Sequence, residues 1–174
     1  MTSAVLSIGS NLGDRLSQLQ SVVTGLGGAV RAISPVYETD AWGGVEQGPF
    51  LNAVLLVDDA DLDGPGWLRR AHEFENAADR VREQRWGPRT LDVDIVSCHD
   101  NGAELRSDDP TLTLPHPLAH QRAFVLVPWL AADRDATLTV DGRPFPVTEL
   151  LAALDAGERG LLAAVRRTDL VLVP

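Results

Sequence analysis

The sequence has no lysine; all 15 of its basic residues are arginine. That absence excludes a phosphate-binding loop of the G-x-x-x-x-G-K-[ST] kind and any chemistry through a lysine Schiff base. A phosphate gripped by this chain has to be held by arginine forks. Cysteine is nearly absent as well. Cys98 alone makes no internal disulfide and no cysteine-based zinc site, and His72, His99, His116 and His120 show no metal-binding spacing of their own. No apolar run approaches the roughly 20 residues that cross a bilayer, and the start "MTSAVLSIGSNL" lacks the basic and apolar regions of a secretion signal. The expectation is a cytoplasmic protein with no membrane partner. A formal charge of -10 and a pI near 4.7 argue against general nucleic-acid binding, which needs a basic surface to displace counterions. Any phosphate site must therefore be local.

With 44% hydrophobic residues and no low-complexity tract, residues 1–174 read as a single domain large enough to bury a core. "AVLSIG" predicts a first strand and "DRLSQLQSVVTGL" a helix with Leu16, Leu19, Val23 and Leu26 on one stripe, closed by Gly27 and Gly28. "AVRAISPVYET" predicts a second strand and "FLNAVLLVDD" a third, with the aperiodic loop "DAWGGVEQGP" between them. "GPGWLRRAHEFENAADRVRE" opens with proline near a helix start and repeats Leu68, Ala71, Phe74, Ala78 and Val81; "TLDVDIV" follows as a fourth strand. The order βαββαβ matches a ferredoxin-like α+β fold, an antiparallel sheet with both helices on one face. C-terminal additions follow: the loop "LTLPHP", the apolar segment "AFVLVPWLA", a helix near "TELLAAL" and a last strand "TDLVLVP". Trp67 and Trp129 fall in apolar-patterned segments, Trp42 and Trp86 in loops.

Chemistry concentrates at "RWGPRTLDVDI", residues 85–95. In a strand, Leu91, Val93 and Ile95 fall on one side and Asp92 and Asp94 on the other. Two acids so placed either form a solvated face of a half-buried sheet or share a hard divalent cation. Arg80, Arg82, Arg85 and Arg89, opposed by Glu83, crowd the preceding residues of an otherwise acidic chain. Cations beside a metal site suggest a polyphosphate.

Four stretches in order, "SIGSNLGDR", "YETDAWG" with "FLNAV", "RVREQRWGPRTLDVDI" and "LTLPHPLAHQRAFVLVP", span residues 7–128. Together they resemble the 6-hydroxymethyl-7,8-dihydropterin pyrophosphokinase family, which moves a diphosphoryl group from ATP to a pterin alcohol in folate biosynthesis. The resemblance implies a ferredoxin-like fold, ATP as co-substrate, AMP as second product, a pair of Mg²⁺ ions held by Asp92 and Asp94, and flexible loops that close over the substrates. It implies catalytic roles for Arg80 and Arg89. It places His72, Glu75, Arg82, Arg85, Trp86, Arg89, Ile95, Thr113, His116 and Arg122 around the nucleotide. For the pterin it implies Gly9, Thr39, Asp40, Trp42, Phe50, Asn52, Asp92 and Phe124, with the two phenylalanines sandwiching the rings and the Asn52 amide reading their edge. The small-molecule substrates are the expected partners, and a monomer is expected.

The residues themselves also admit plainer readings. Arg82 and Arg85 suit solvated ion pairs, Phe124 a core position, Asn52 a loop cap, Glu75 a surface position, and Gly9 a tight turn. Three positions depart from the family pattern: Asp79 where glycine is usual, His72 where glutamine is frequent, and Asp40-Ala41 where a proline-containing pair is usual. A ligand-binding regulator and an RNA-binding module of the same fold are the rival classes. A paired-acid sheet face beside an arginine loop favours neither.

Overall fold

The computed structural model describes residues 1–40, 48–78 and 91–174. Strand β1 (Thr2–Ser10) leads into helix α1 (Arg15–Leu26). Asp14 starts the helix by accepting hydrogen bonds from Ser17 N at 3.1 Å and Ser17 Oγ at 2.9 Å, which hold its carboxyl below the usual range. Gly27, at φ +52°, ends it. Strands β2 (Val30–Ile33), β3 (Tyr37–Thr39) and β4 (Phe50–Asp59) follow, then helix α2 (Gly64–Ala78) and strand β5 (Asp92–Asp100). Next come the short strands β6 (Ala103–Glu104), β7 (Ser107–Asp109) and β8 (Leu112–Leu114) and helix α3 (Ala123–Ala132). The chain finishes with β9 (Thr137–Val140), β10 (Arg143–Pro146), α4 (Val147–Gly157) and β11 (Arg166–Arg167).

The main sheet runs β11-β3-β4-β1-β5-β6, with β2 also paired to β4, and its pairings are antiparallel. Counting β2 and β3 together as the second strand, the order is the ferredoxin-like one, as the βαββαβ pattern predicts. The predicted second strand is broken, however. Pro35 brings no N–H to a ladder, and Ser34 Oγ accepts from Val54 N at 2.8 Å where the ladder lapses, so residues 29–39 form two strands rather than one. "AFVLVPWLA" is a helix, α3, with Pro128 inside it.

Each face of the sheet has its own core. On one, Ala4, Leu6 and Ile8 of β1 and Leu51, Ala53, Leu55 and Val57 of β4 meet Leu19, Val22 and Val23 of α1 and Trp67 and Ala71 of α2. The α1 stripe is as predicted, widened by Val22. On α2, Trp67 is buried and its Nε1 donates to Thr2 Oγ1 at 2.9 Å. Gly25 lets α2 approach α1, since a Cβ there would stand 2.4 Å from Phe74 Cε1. On the opposite face Val54 and Val96 pack against α3 and α4 through Val125, Leu126, Trp129, Val147 and Leu151. Trp67 and Trp129 are both packed; Trp42 and Trp86 lie outside the described residues.

A bulge in β5 assigns its side chains to these two cores. Ile95 pairs with Leu6 and Ser97 with Val5, so Val96 is an extra residue, and the parity of β5 changes there. Val93, Ile95 and Cys98 consequently face α1 and α2, while Val96 faces α3. The expected terminal strand "TDLVLVP" is not a strand: pairing with β3 is confined to Arg166–Arg167 just before it, Thr168 donates to Val36 O, and the end of the chain reaches α1. There Leu172 is buried, and the Gln20 side chain bonds both Val173 O at 2.7 Å and Val173 N at 3.0 Å. One side-chain amide thus satisfies both backbone groups of Val173, as a partner strand would have done.

Cys98 is fully buried, and burial, with Asp100 and Asp63 adding to it, pushes its thiol up to about 11. We expect no reaction with a thiol reagent at pH 7.5 except at the rate of global unfolding, measured by absorbance with and without urea. Because the folded value lies above the ordinary 9.0, this group's contribution to stability is complete below pH 9 and is lost as pH rises through about 11. Rapid labelling under native conditions would contradict the placement.

Candidate active site

Cross-strand register builds the site. Directly paired residues of antiparallel strands present their side chains to one face. Asn52 pairs with Gly9, Gly9 with Asp92, and Tyr37 with Asn52, which makes a row of four across β3, β4, β1 and β5. Thr39 pairs with Phe50 and Ser7 with Asp94, so these join the same face by the period of two. It is the face covered by α3. The alternation read in the sequence therefore holds: Asp92 and Asp94 are half-buried beside one another, while Val93 and Ile95 are in the opposite core.

On this face β1 presents Val5, Ser7 and then Gly9, so the strand thins toward the site. A Cβ on Gly9 would come within 3.0 Å of Asn52 Oδ1 and 3.7 Å of Phe50 Cδ1. The glycine thus leaves a recess bounded by an amide and an aromatic ring. Asn52 is buried and donates from Nδ2 to Thr39 Oγ1 at 2.8 Å, which fixes its amide.

The carboxylate side is completed from the C-terminal half. Arg122, immediately before α3, places Nη1 3.6 Å from Asp94 Oδ2, and its guanidinium lies 5.7 Å from the centre of the Phe124 ring. His116 is tied to β5 by its backbone N–H, which donates to Val96 O at 2.8 Å, and its ring Nδ1 accepts from Leu118 N at 3.1 Å. Its neutral ring therefore carries the proton on Nε2. Burial lowers the His116 pKa; Asp94 opposes that shift and Arg122 adds to it. From α2, Glu75 Oε2 accepts from Val93 N at 3.4 Å on the edge of β5.

Other predicted positions lie apart. His72 is exposed on α2, and Thr113 bonds Asp109 O at 3.1 Å within the β7–β8 hairpin. The Ile95 side chain is buried in the α1–α2 core, so no more than its backbone is offered to a ligand. Asp40 is exposed and ion-paired with Arg166 at 3.3 Å. Trp42, Arg80, Arg82, Arg85, Trp86 and Arg89 lie outside the described residues, as does Asp79. Sequence reading missed Ser7 and Tyr37, although a small residue two before Gly9 and the chain's one tyrosine two before Thr39 were both available signals.

Among the described residues no three His, Cys, Asp or Glu side chains cluster as a metal site. Two carboxylates beside an arginine fit a hard cation that takes its remaining ligands from phosphate and water, and do not fit a closed protein cage. An aromatic-walled recess with one amide edge suits a flat heterocycle. Fold and face together define an α+β protein able to bring a phosphorylated ligand and a planar one to neighbouring positions.

Comparison with known proteins gives that class its family. The model for "7,8-dihydro-6-hydroxymethylpterin-pyrophosphokinase (HPPK)" matches residues 5–134, and the chain belongs to this family. It is 60% identical over 164 residues to the 2-amino-4-hydroxy-6-hydroxymethyldihydropteridine pyrophosphokinase of Mycobacterium tuberculosis, covering 91% of this chain and 87% of the relative. The Mycobacterium leprae protein of the same name is 58% identical, covering 99% and 92%. That of Bacillus subtilis is 36% identical, covering 72% and 74%. In the crystal structure of wild-type Plasmodium falciparum HPPK-DHPS with SDX-DHP, 95% of this chain superposes with a TM-score of 0.66 at 11% identity, a likeness of fold. This chain spans 47% of that longer one.

Gly9→Ala tests the recess. The added methyl must displace Asn52 Oδ1 or the Phe50 ring, at a cost of about 1–2 kcal/mol by overpacking. We expect the Asn52 side-chain amide resonances to shift in a heteronuclear NMR spectrum; unchanged resonances would contradict the packing described.

Proposed function

We propose that the α3-covered face of the sheet is where this pyrophosphokinase transfers a diphosphoryl group from ATP to the hydroxymethyl oxygen of 6-hydroxymethyl-7,8-dihydropterin. The reaction belongs to folate biosynthesis. The hydroxymethyl oxygen bonds to the β-phosphorus of ATP, the bond from that phosphorus to the α,β-bridging oxygen breaks, AMP leaves, and the hydroxyl proton is released. The site must therefore neutralise triphosphate charge and set the two oxygens in line.

The row Asn52–Gly9–Asp92 carries the assignment. It sets a heterocycle recess one strand away from a carboxylate pair on the same face. In this reading Asn52 and Thr39 hydrogen-bond the pterin edge, Phe50 and Phe124 flank its rings, and Gly9 leaves the space that the ring occupies. The sequence motif adds backbone groups near Thr39, Asp40 and Trp42 to the edge contacts. Asp92 and Asp94 hold Mg²⁺, taken as a pair of ions, at the junction of the substrates. When bound, Mg²⁺ neutralises phosphate charge and aligns attacking and leaving oxygens. Arg122 adds positive charge beside Asp94, and His116, its proton on Nε2, offers one donor to the nucleotide. Glu75 holds the open edge of β5 at Val93 beside the Ile95 backbone, with His72 and Thr113 at the periphery. The sequence motif assigns Arg80 and Arg89 to the transferring phosphates and Arg82, Arg85 and Trp86 to the nucleotide.

Helices α3 and α4 close the second core on the same sheet that α1 and α2 cover, which supports a single domain over residues 1–174. Among the described residues no helix is long and apolar enough to cross a membrane. A buried, unreactive lone thiol suits a cytoplasmic setting.

Asp92→Asn and Asp94→Asn each remove charge at nearly constant shape. We expect AMP formation to fall on the order of a hundredfold in either variant, with an unchanged circular dichroism spectrum. Near-wild-type turnover in both at ordinary Mg²⁺ would reject the assignment.

A further inference from the structure

On the reverse face of the sheet two arginines from opposite ends of the chain converge on one carboxylate. Arg15, the first residue of α1, donates from Nη1 to Glu38 Oε2 at 3.0 Å and to Pro49 O at 2.9 Å. Arg166, in β11, places Nη2 3.6 Å from Glu38 Oε1 and 3.3 Å from Asp40 Oδ1. Glu38 sits between Tyr37 and Thr39 in β3, a strand of three residues. So short a strand has little stability of its own and keeps its place only through its neighbours. One neighbour is β4; the other is β11, where Arg166 pairs with Glu38 and Thr168 donates from both N and Oγ1 to Val36 O at 2.9 Å.

The ties are placed to matter for the site. Thr39, next to Glu38, holds the Asn52 amide, and Phe50 follows Pro49. Arg166 secures Glu38 and Asp40 on the β3 side, Arg15 secures Glu38 and Pro49 on the β4 side, and Glu38 links the two. Residues 166–168 lie beyond the stretch that the family model matches.

We propose that Arg15 and Arg166, each gripping one oxygen of Glu38, are positioning residues for the heterocycle: they hold β3 in register on β4 and so fix the Thr39–Asn52 edge. The C-terminal segment is then part of the site's scaffold. The proposal rests on the reading that Asn52 and Thr39 meet the pterin. It separates the substrates, because the carboxylate pair stands on β5, with β4 and β1 between it and β3, and is held by neither arginine.

The test is steady-state kinetics with both substrates on Arg166→Ala, Arg166→Lys, the double variant Arg15→Ala with Arg166→Ala, and Asn52→Ala, each with a thermal midpoint. For Arg166→Ala the KM for 6-hydroxymethyl-7,8-dihydropterin rises about three- to fivefold, the scale of a partly exposed ion pair. The KM for ATP, kcat and the midpoint change little; Arg166→Lys recovers most of the loss, and the double variant loses more. An unchanged pterin KM in the double variant, or a parallel rise in both KM values with a lowered midpoint, overturns the proposal. Asn52→Ala tells the two levels apart. If it raises the pterin KM while the arginine variants do not, positioning alone is wrong; if it leaves the pterin KM unchanged, the site reading fails and the proposal with it.

Discussion

The structure depends on the double pairing of β1. Its nine residues run antiparallel to β4 on one side and to β5 on the other, so residues distant in sequence become neighbours in fixed register. Because side chains alternate, a slip of one residue would send Asp92 and Asp94 into the α1–α2 core and Val93 and Ile95 to the face covered by α3. Burying two carboxylates without partners costs several kcal/mol, so the hydrophobic pattern enforces the register and the register enforces the site. Gly9 stands at the centre of this arrangement, and the missing side chain is what opens the recess.

The second face is closed by the C-terminal half. The βαββαβ unit covers one side of the sheet with α1 and α2; Val54 and Val96 on the other side need α3 and α4 to be buried. The same helix, α3, that seals this core carries Phe124, with Arg122 at its start. Folding the additions onto the sheet thus brings the Phe124 ring and the cation beside Asp94 to this face together. The single-residue bulge at Val96 completes the division, giving later β5 residues the opposite parity so that Cys98 meets the first core.

Much of this was legible in the sequence because it is carried by period. Alternation placed Asp92 and Asp94 on one face, helical repeats located α1 and α2, and their order implied the sheet. What escaped has identifiable causes. The break between β2 and β3 turns on Pro35 and on a hydroxyl standing in for a ladder acceptor. The tail "TDLVLVP" has strand composition, yet its backbone is met at Val173 by the Gln20 side chain and at Thr168 by Val36 O, long-range contacts that no local pattern encodes. The β9–β10 hairpin was signalled by Asp141-Gly142, both at positive φ, and passed over. Motif reading supplied Asn52, Gly9 and His116 as separate residues; that the first two are adjacent, and that Arg122 reaches Asp94, followed only from the fold.

The most direct test of the account is where a divalent cation binds. With Mn²⁺ and a non-hydrolysable ATP analogue, paramagnetic broadening of backbone amide signals maps distance from the ion. The account predicts loss of signal at Ser7, Gly9 and Asp92 to Ile95, with Asp63 and Asp100, at the far end of β1 beside Thr2, left sharp. Broadening centred on Asp63 and Asp100, or a pattern unchanged when Asp92 and Asp94 are both replaced by asparagine, would contradict it.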